Sequence, residues 1–181
     1  MRAFGVRAFE IPPPEAPSST SVAREIDVAL GLLGDARSLH DAMDMPRPGA
    51  WDASQCDAAY RCGYGAFERG DFAHAIECFA PLLSACPLTA DYAVALALSV
   101  QRYGEPKVAL PLFMAAALMD EDAPGAMYRV GECLVELRQF DAARRAMKEA
   151  LHRCDGLPKY AGVRNAALRM MARLGYLDYL S

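Results

Sequence analysis

Between Cys56 and Asp155 the apolar residues recur at helical spacing, and the pattern repeats every 34 residues, three times, without an insertion. With Cys56, Ala90 and Pro124 set at position 1, Ala75, Ala109 and Ala143 share position 20, and Phe79, Phe113 and Met147 share position 24. Position 27 holds Leu82, Ala116 and Ala150; position 8 holds Gly63, Ala97 and Gly131; position 15 holds Gly70, Gly104 and Arg138. Each block predicts a helix A, a tight turn at position 15 and a helix B. Small side chains at positions 8 and 20 let the two helices approach, and the bulky position 24 is expected to fill the gap between neighbouring repeats. Helix A is expected over about Asp52 to Arg69, Asp91 to Tyr103 and Gly125 to Leu137. Helix B is expected from Phe72 to Ala85, from Pro106, which suits a first helical turn, and from Phe140 to Cys154.

This period with these columns is the tetratricopeptide signature. The fold class that follows is all-α: three tandem tetratricopeptide repeats in a right-handed helical solenoid, with an N-terminal helical region and a C-terminal capping helix. One repeat cannot bury its apolar face alone, so the three form one domain, expected over residues 51–181. The capping helix should run from Tyr160 to about Leu174 and turn Val163, Ala167, Met170, Met171 and Leu174 onto the open end. Residues 1–20, rich in proline and ending in a Ser/Thr run, read as a disordered tail. Residues 21–50 read as a helix capped by Ser21, carrying Val22, Ile26, Ala29, Leu30, Leu33, Leu39 and Met43, then a break at Pro46, Pro48 and Gly49.

In such arrays the A helices line the concave surface, with positions 2, 5, 9 and 12 facing into it. The candidate binding residues are Tyr60, Tyr64 and Phe67 in repeat 1, Val94, Leu98 and Gln101 in repeat 2, and Tyr128 and Glu132 in repeat 3. An uncovered apolar surface of this kind marks a partner site. Tyrosines present a flat apolar body and a hydroxyl, which suits an extended peptide with spaced aliphatic or proline side chains. Grooves that capture a C-terminal carboxylate need Lys, Arg or Asn at the inner positions. This chain has Tyr60, Tyr64, Val94 and Leu98 there, which argues against that ligand. The alternative is that the N-terminal helix fills the groove in cis.

Composition narrows the function further. A hydrophobic share of 54% is that of a folded chain, and a net charge of -4 gives no field for nucleic acid or membrane. From Arg138 onward Lys and Arg outnumber acids nine to four, but the basic residues alternate with acids and lack interleaved aromatics, so direct nucleic-acid binding is not expected. No export signal and no span of about 20 apolar residues is found, which predicts a cytoplasmic protein. The six cysteines should then stay thiols, and the internal ones, Cys62 among them in a core column, are expected to be small buried fillers. No CxxC or Cys/His spacing along the sequence suggests zinc, and no metal or cofactor is expected. His40, His74 and His152 are scattered, and Glu132 lacks a paired acid or base, so no enzyme is expected; Glu132 reads as a polar contact for a bound peptide.

The segment Tyr60 to Leu174 resembles the class II chaperones of bacterial type III secretion systems, which serve hydrophobic translocator proteins. The resemblance rests on Tyr60, Gly70, Phe72, Ala75 and Phe79, on Met119-Asp120 with Pro124, Glu132, Cys133 and Leu134, and on Pro158 with Tyr160. It implies a cytoplasmic chaperone that keeps a translocator from aggregating and competent for secretion, holding an extended client segment through aromatics that match Tyr60, Tyr64 and Phe67. It further implies a homodimer through the N-terminal helical region and, as in some members, coactivation of an AraC-type regulator. Pro106, where the family more often has an aromatic, and the Pro-rich N-terminal portion depart from the pattern. The competing reading is a generic tetratricopeptide interaction adaptor unconnected with secretion.

Overall fold

The computed structural model describes residues 48–120, 122 and 124–178. The proposed tail and N-terminal helix lie almost wholly outside these residues. Helix α1 (Ala53–Glu68) starts at a capping box: the amide of Gln55 donates to Asp52 Oδ1 and the amide of Asp52 donates to Gln55 Oε1, both at 2.9 Å. Helix α2 (Phe72–Ala85) is capped by Asp71, whose Oδ1 accepts from the amide of His74 at 3.2 Å. Repeat 2 follows as α3 (Ala90–Tyr103) and α4 (Pro106–Met119), with Pro106 in the first turn as expected. Repeat 3 is α5 (Pro124–Glu136) and α6 (Phe140–Arg153). A 3-10 turn (Pro158–Tyr160) leads into the closing helix α7 (Ala161–Asp178), which ends four residues beyond Leu174, the last position of its apolar pattern.

The same turn joins A to B in all three repeats. The amide of position 16 reaches back five residues: Asp71 to the Ala66 carbonyl at 3.0 Å, Glu105 to Val100 at 3.1 Å and Gln139 to Leu134 at 2.8 Å. This is the Schellman closure, which needs a left-handed residue at position 15. Gly70 (φ 78°) and Gly104 (φ 103°) adopt that conformation without a Cβ, whereas Arg138 (φ 59°) bears it as a non-glycine residue. Replacing Arg138 with glycine is therefore expected to stabilise the domain by about 1 kcal/mol, the order of the left-handed penalty. Urea denaturation monitored by circular dichroism checks this; an unchanged or lowered midpoint would count against it.

In repeats 1 and 3, position 24 packs against position 8 of its own repeat. A Cβ built on Gly63 would lie 2.6 Å from the Phe79 ring, and one on Gly131 would lie 2.5 Å from the Met147 methyl. Glycine at position 8 thus makes room for the largest side chain of helix B, because an A/B pair approaching this closely leaves no space for both. The two sites should respond unequally to alanine. Phe79 is a rigid, fully buried ring, so Gly63→Ala should destabilise by about 1–3 kcal/mol before a gain of about 1 kcal/mol in helix propensity. Gly131→Ala meets the mobile end of Met147 and should be close to neutral. Denaturation midpoints of the two variants test the difference, and equal midpoints would refute it.

Consecutive helices pack on each other from α1 to α7. The main core runs through all three repeats, with Phe79, Leu82, Leu96, Leu112 and Phe113 fully buried. A second cluster joins Met147, Ala150 and Cys154 of repeat 3 to Val163, Ala166 and Ala167 of α7, so the closing helix covers the end of the stack. Arg144 donates to the Leu174 carbonyl at 3.2 Å, and Arg164 pairs with Asp155 at 3.0 Å. Arg153 donates to the carbonyl of Ala117 at 3.1 Å, one of the last acceptors of α4 left without an intrahelical donor. Among the described residues no helix is long and apolar enough to cross a membrane.

The cysteines depart from the expectation of uniform burial. Cys56, Cys133 and Cys154 are buried, Cys78 and Cys86 are half-buried, and Cys62 is exposed. Cys62 holds position 7, where repeats 2 and 3 carry the buried Leu96 and Val130. Among the described residues repeat 1 has no predecessor, so the same position opens outward.

Candidate functional site: the face of the A helices

The eight candidate residues lie on α1, α3 and α5, the A helices. Two side-chain contacts tie these helices into one layer. The Tyr60 ring of α1 sits 5.7 Å from the Tyr92 ring of α3, and Gln101 Nε2 of α3 donates to Glu136 Oε1 of α5 at 2.6 Å. Along this layer the candidates differ in exposure. Tyr64 is 43% exposed; Tyr60, Phe67, Val94, Gln101 and Glu132 are half-buried; Leu98 and Tyr128 are 6% and 7% exposed. Leu98 and Tyr128 therefore lie beneath the surface and support it, and the most accessible apolar side chain of the set, Tyr64, belongs to repeat 1.

That part is aromatic. Tyr60 stands between Phe79 (5.8 Å) and Tyr92, and Phe67 meets the edge of Phe72 at 5.4 Å. Packing of this kind fixes the ring orientations before any ligand arrives. Burial, with the Asp91 carboxylate beside it, pushes the Tyr60 phenol up to about 12, so its hydroxyl keeps its proton at neutral pH. A notch of about 100 Å³ opens between Phe67, Glu68, Gly70, Phe72 and Arg102. The Arg102 guanidinium lies 5.5 Å over the Phe72 ring.

Toward repeat 3 the surface becomes charged and internally bonded. Glu132, expected to contact a bound backbone, accepts instead from Tyr128 Oη at 2.8 Å and from Arg129 Nη1 at 2.6 Å. Burial, reinforced by the Glu132 carboxylate, raises the Tyr128 phenol well above its ordinary range, so it acts as a donor. Burial lowers Arg102, and the neighbouring Arg129 adds to this. Burial raises the Glu136 carboxyl, against the bond from Gln101. Gln101 Oε1 is buried with no donor opposite it, so this acceptor is unused within the described residues. Arg102, Arg129 and Glu136 were missed by the sequence reading because they sit at positions 13 and 6, one step from the inner positions. An i,i+3 charge search through Arg129 and Glu132 would have found part of this group.

Two other features lie away from this face. A larger hollow of about 600 Å³ is ringed by the charged side chains of Asp122, Glu149, Arg153 and Lys159, with His152 and Leu157, which does not suit an apolar segment. Met114, Leu118 and Met119 form an exposed apolar strip on α4, with Leu118 at 73%.

No protein-family model and no curated protein matches the sequence. Solved structures do match its fold. The Yersinia enterocolitica type III secretion chaperone SycD, in complex with a peptide of the translocator YopD, aligns with a TM-score of 0.67 at 16% identity, over 70% of this chain and 97% of that one. PcrH in complex with the chaperone binding region of PopD aligns at 0.69 and 22% identity, over 74% and 99%. A type III secretion complex from Aeromonas hydrophila aligns at 0.68 and 19%, over 86% and 99%. The helical fold is thus that of the translocator chaperones, and at these identities the likeness is one of fold.

Proposed function

We propose that this protein is a cytoplasmic, non-catalytic chaperone for hydrophobic translocator proteins of a type III secretion system, and that it holds an extended client segment along the face of its A helices. The observation that carries this reading is the aromatic row Tyr60, Tyr64 and Phe67 on α1, with Tyr64 accessible and its neighbours held in place. The fold supports it: chaperones of the same fold are solved with peptides of YopD and with the chaperone binding region of PopD. A translocator must insert into a membrane, so its apolar segments would aggregate in the cytoplasm. A groove that covers one such segment delays this without nucleotide.

The charged end at repeats 2 and 3 adds polarity to the groove. An aliphatic stretch of the client would lie over the exposed Tyr64. Homodimerisation through residues 21–50 and coactivation of an AraC-type regulator belong to the same proposal, as does the division of the chain into a tail (1–20), a helical region (21–50) and a repeat domain (51–181).

Co-expression tests the proposal. Hydrophobic translocators encoded beside a type III apparatus in the same genome should be recovered in the supernatant, co-purifying with this chain, and should pellet without it. Recovery that is the same with and without the chain would refute the chaperone reading and favour an adaptor unconnected with secretion.

A further inference from the structure

Cys62 of α1 and His74 and Cys78 of α2 converge on the outer side of repeat 1, with their ligand atoms within 4.8 Å of one another. Cys62 Sγ lies 3.6 Å from His74 Nε2 and 2.7 Å from Cys78 Sγ, and Cys78 Sγ lies 3.9 Å from the same nitrogen. We propose that these three side chains form a binding site for a thiophilic divalent cation, Zn²⁺, that staples α1 to α2 at the first repeat.

The donor set and its geometry fit the ion. Zinc takes sulfur at about 2.3 Å and imidazole nitrogen at about 2.0–2.1 Å in a tetrahedron, which sets S···N near 3.5 Å and S···S near 3.8 Å. Both S···N separations already approach that value. The two sulfurs need to part by about 1 Å, a small χ1 adjustment at the exposed Cys62. His74 is also oriented for the role. Its Nδ1–H donates to Glu77 Oε2 at 3.3 Å, which leaves the Nε2 lone pair facing the sulfurs. A carboxylate behind a metal-ligating imidazole fixes its tautomer in this way. On binding, each thiol gives up its proton to solvent and the neutral imidazole gives up none, so one Zn²⁺ replaces two H⁺. Three protein ligands leave the fourth position to a water.

The repeat register separates this cluster from ordinary packing. The three residues hold positions 7, 19 and 23. Repeat 2 has Leu96, Val108 and Leu112 there, and repeat 3 has Val130, Ala142 and Ala146. In those repeats the side chains at positions 7 and 23 are buried. Repeat 1 has no preceding repeat among the described residues, and there the aliphatic column is replaced by two thiols and an imidazole. The end of a solenoid lacks the neighbour that stabilises every other unit, and a metal joining its two helices supplies part of that loss. The linear spacing conceals the site because the ligands come from two helices: Cys62 lies on one and the i,i+4 pair His74 and Cys78 on the other.

Cobalt titration of the full, reduced chain tests the site. One equivalent of Co²⁺ should produce a thiolate-to-cobalt charge-transfer band that Zn²⁺ abolishes, and Zn²⁺ should raise the melting temperature. Cys62→Ser, Cys78→Ser and His74→Ala should each lose the band while keeping wild-type helicity. Glu77→Gln should keep the band and weaken binding by about 10–100-fold, the effect of removing such a supporting partner. Cys86→Ser, in the separate pair with Cys56, should leave binding unchanged. The proposal is overturned if no band forms, if the band survives in Cys62→Ser or disappears in Cys86→Ser, or if the isolated chain carries a Cys62–Cys78 disulfide and takes up no cobalt once reduced.

Discussion

Truncating Phe79 to alanine is expected to lower the free energy of unfolding by about 3–5 kcal/mol, the range for a fully buried phenylalanine. The ring has no exposed surface, fills the space left by the missing side chain of Gly63, and supports Tyr60 at 5.8 Å. Its removal leaves a cavity that the backbone cannot close, since α1 and α2 are joined at one end by the Schellman turn at Gly70 and at the other by the Gly49 amide donating to the Ala85 carbonyl at 2.7 Å. For a small domain with about 5–15 kcal/mol of total stability, that is about a fifth or more of the whole. Phe113→Ala, equally buried at the same position of repeat 2, should cost a similar amount. Urea denaturation of both variants measures this, and a loss under about 1 kcal/mol in Phe79→Ala would refute the assignment of position 24 as the intra-repeat keystone.

The second large effect concerns binding. Tyr64→Ala should weaken capture of a translocator by about 1–3 kcal/mol, the range for an interface anchor. Because Tyr64 is 43% exposed, its truncation should leave the denaturation midpoint almost unchanged. Tyr60→Ala should weaken capture comparably, but also destabilise the fold, because its ring is packed between Phe79 and Tyr92. The pair therefore separates a binding role from a packing role at neighbouring positions of one helix face. Translocator retained in full by both variants in co-purification would place the client elsewhere.

The period of 34 residues made the architecture legible because each column has a physical cause. Position 15 must be left-handed to close the A/B turn, and position 8 must be small where position 24 is large. Repeat 3 has Arg138 in the turn column and still makes the same turn, since its hydrogen bonds outweigh the strain. The helix faces were less legible. The inner positions grouped Leu98 and Tyr128 with Tyr64, yet the first two are buried where Tyr64 is exposed, and a single period cannot register that difference of depth. Glu132 read as an open polar contact because Arg129, at the next position but two, was outside the inner set. Cys62 read as core because its column is core wherever a repeat precedes it. Position within the array, which the columns average away, decides its environment.

Site-specific photo-crosslinking in a cell that co-expresses a translocator tests the central claim most directly. A photoreactive residue would be placed at Tyr64, on the exposed aromatic row of α1, or at Leu118, on the apolar strip of α4. If the A-helix face holds the client, the translocator is captured from Tyr64 and not from Leu118. Capture from Leu118 with none from Tyr64 would contradict the account and move the binding surface to the B helices.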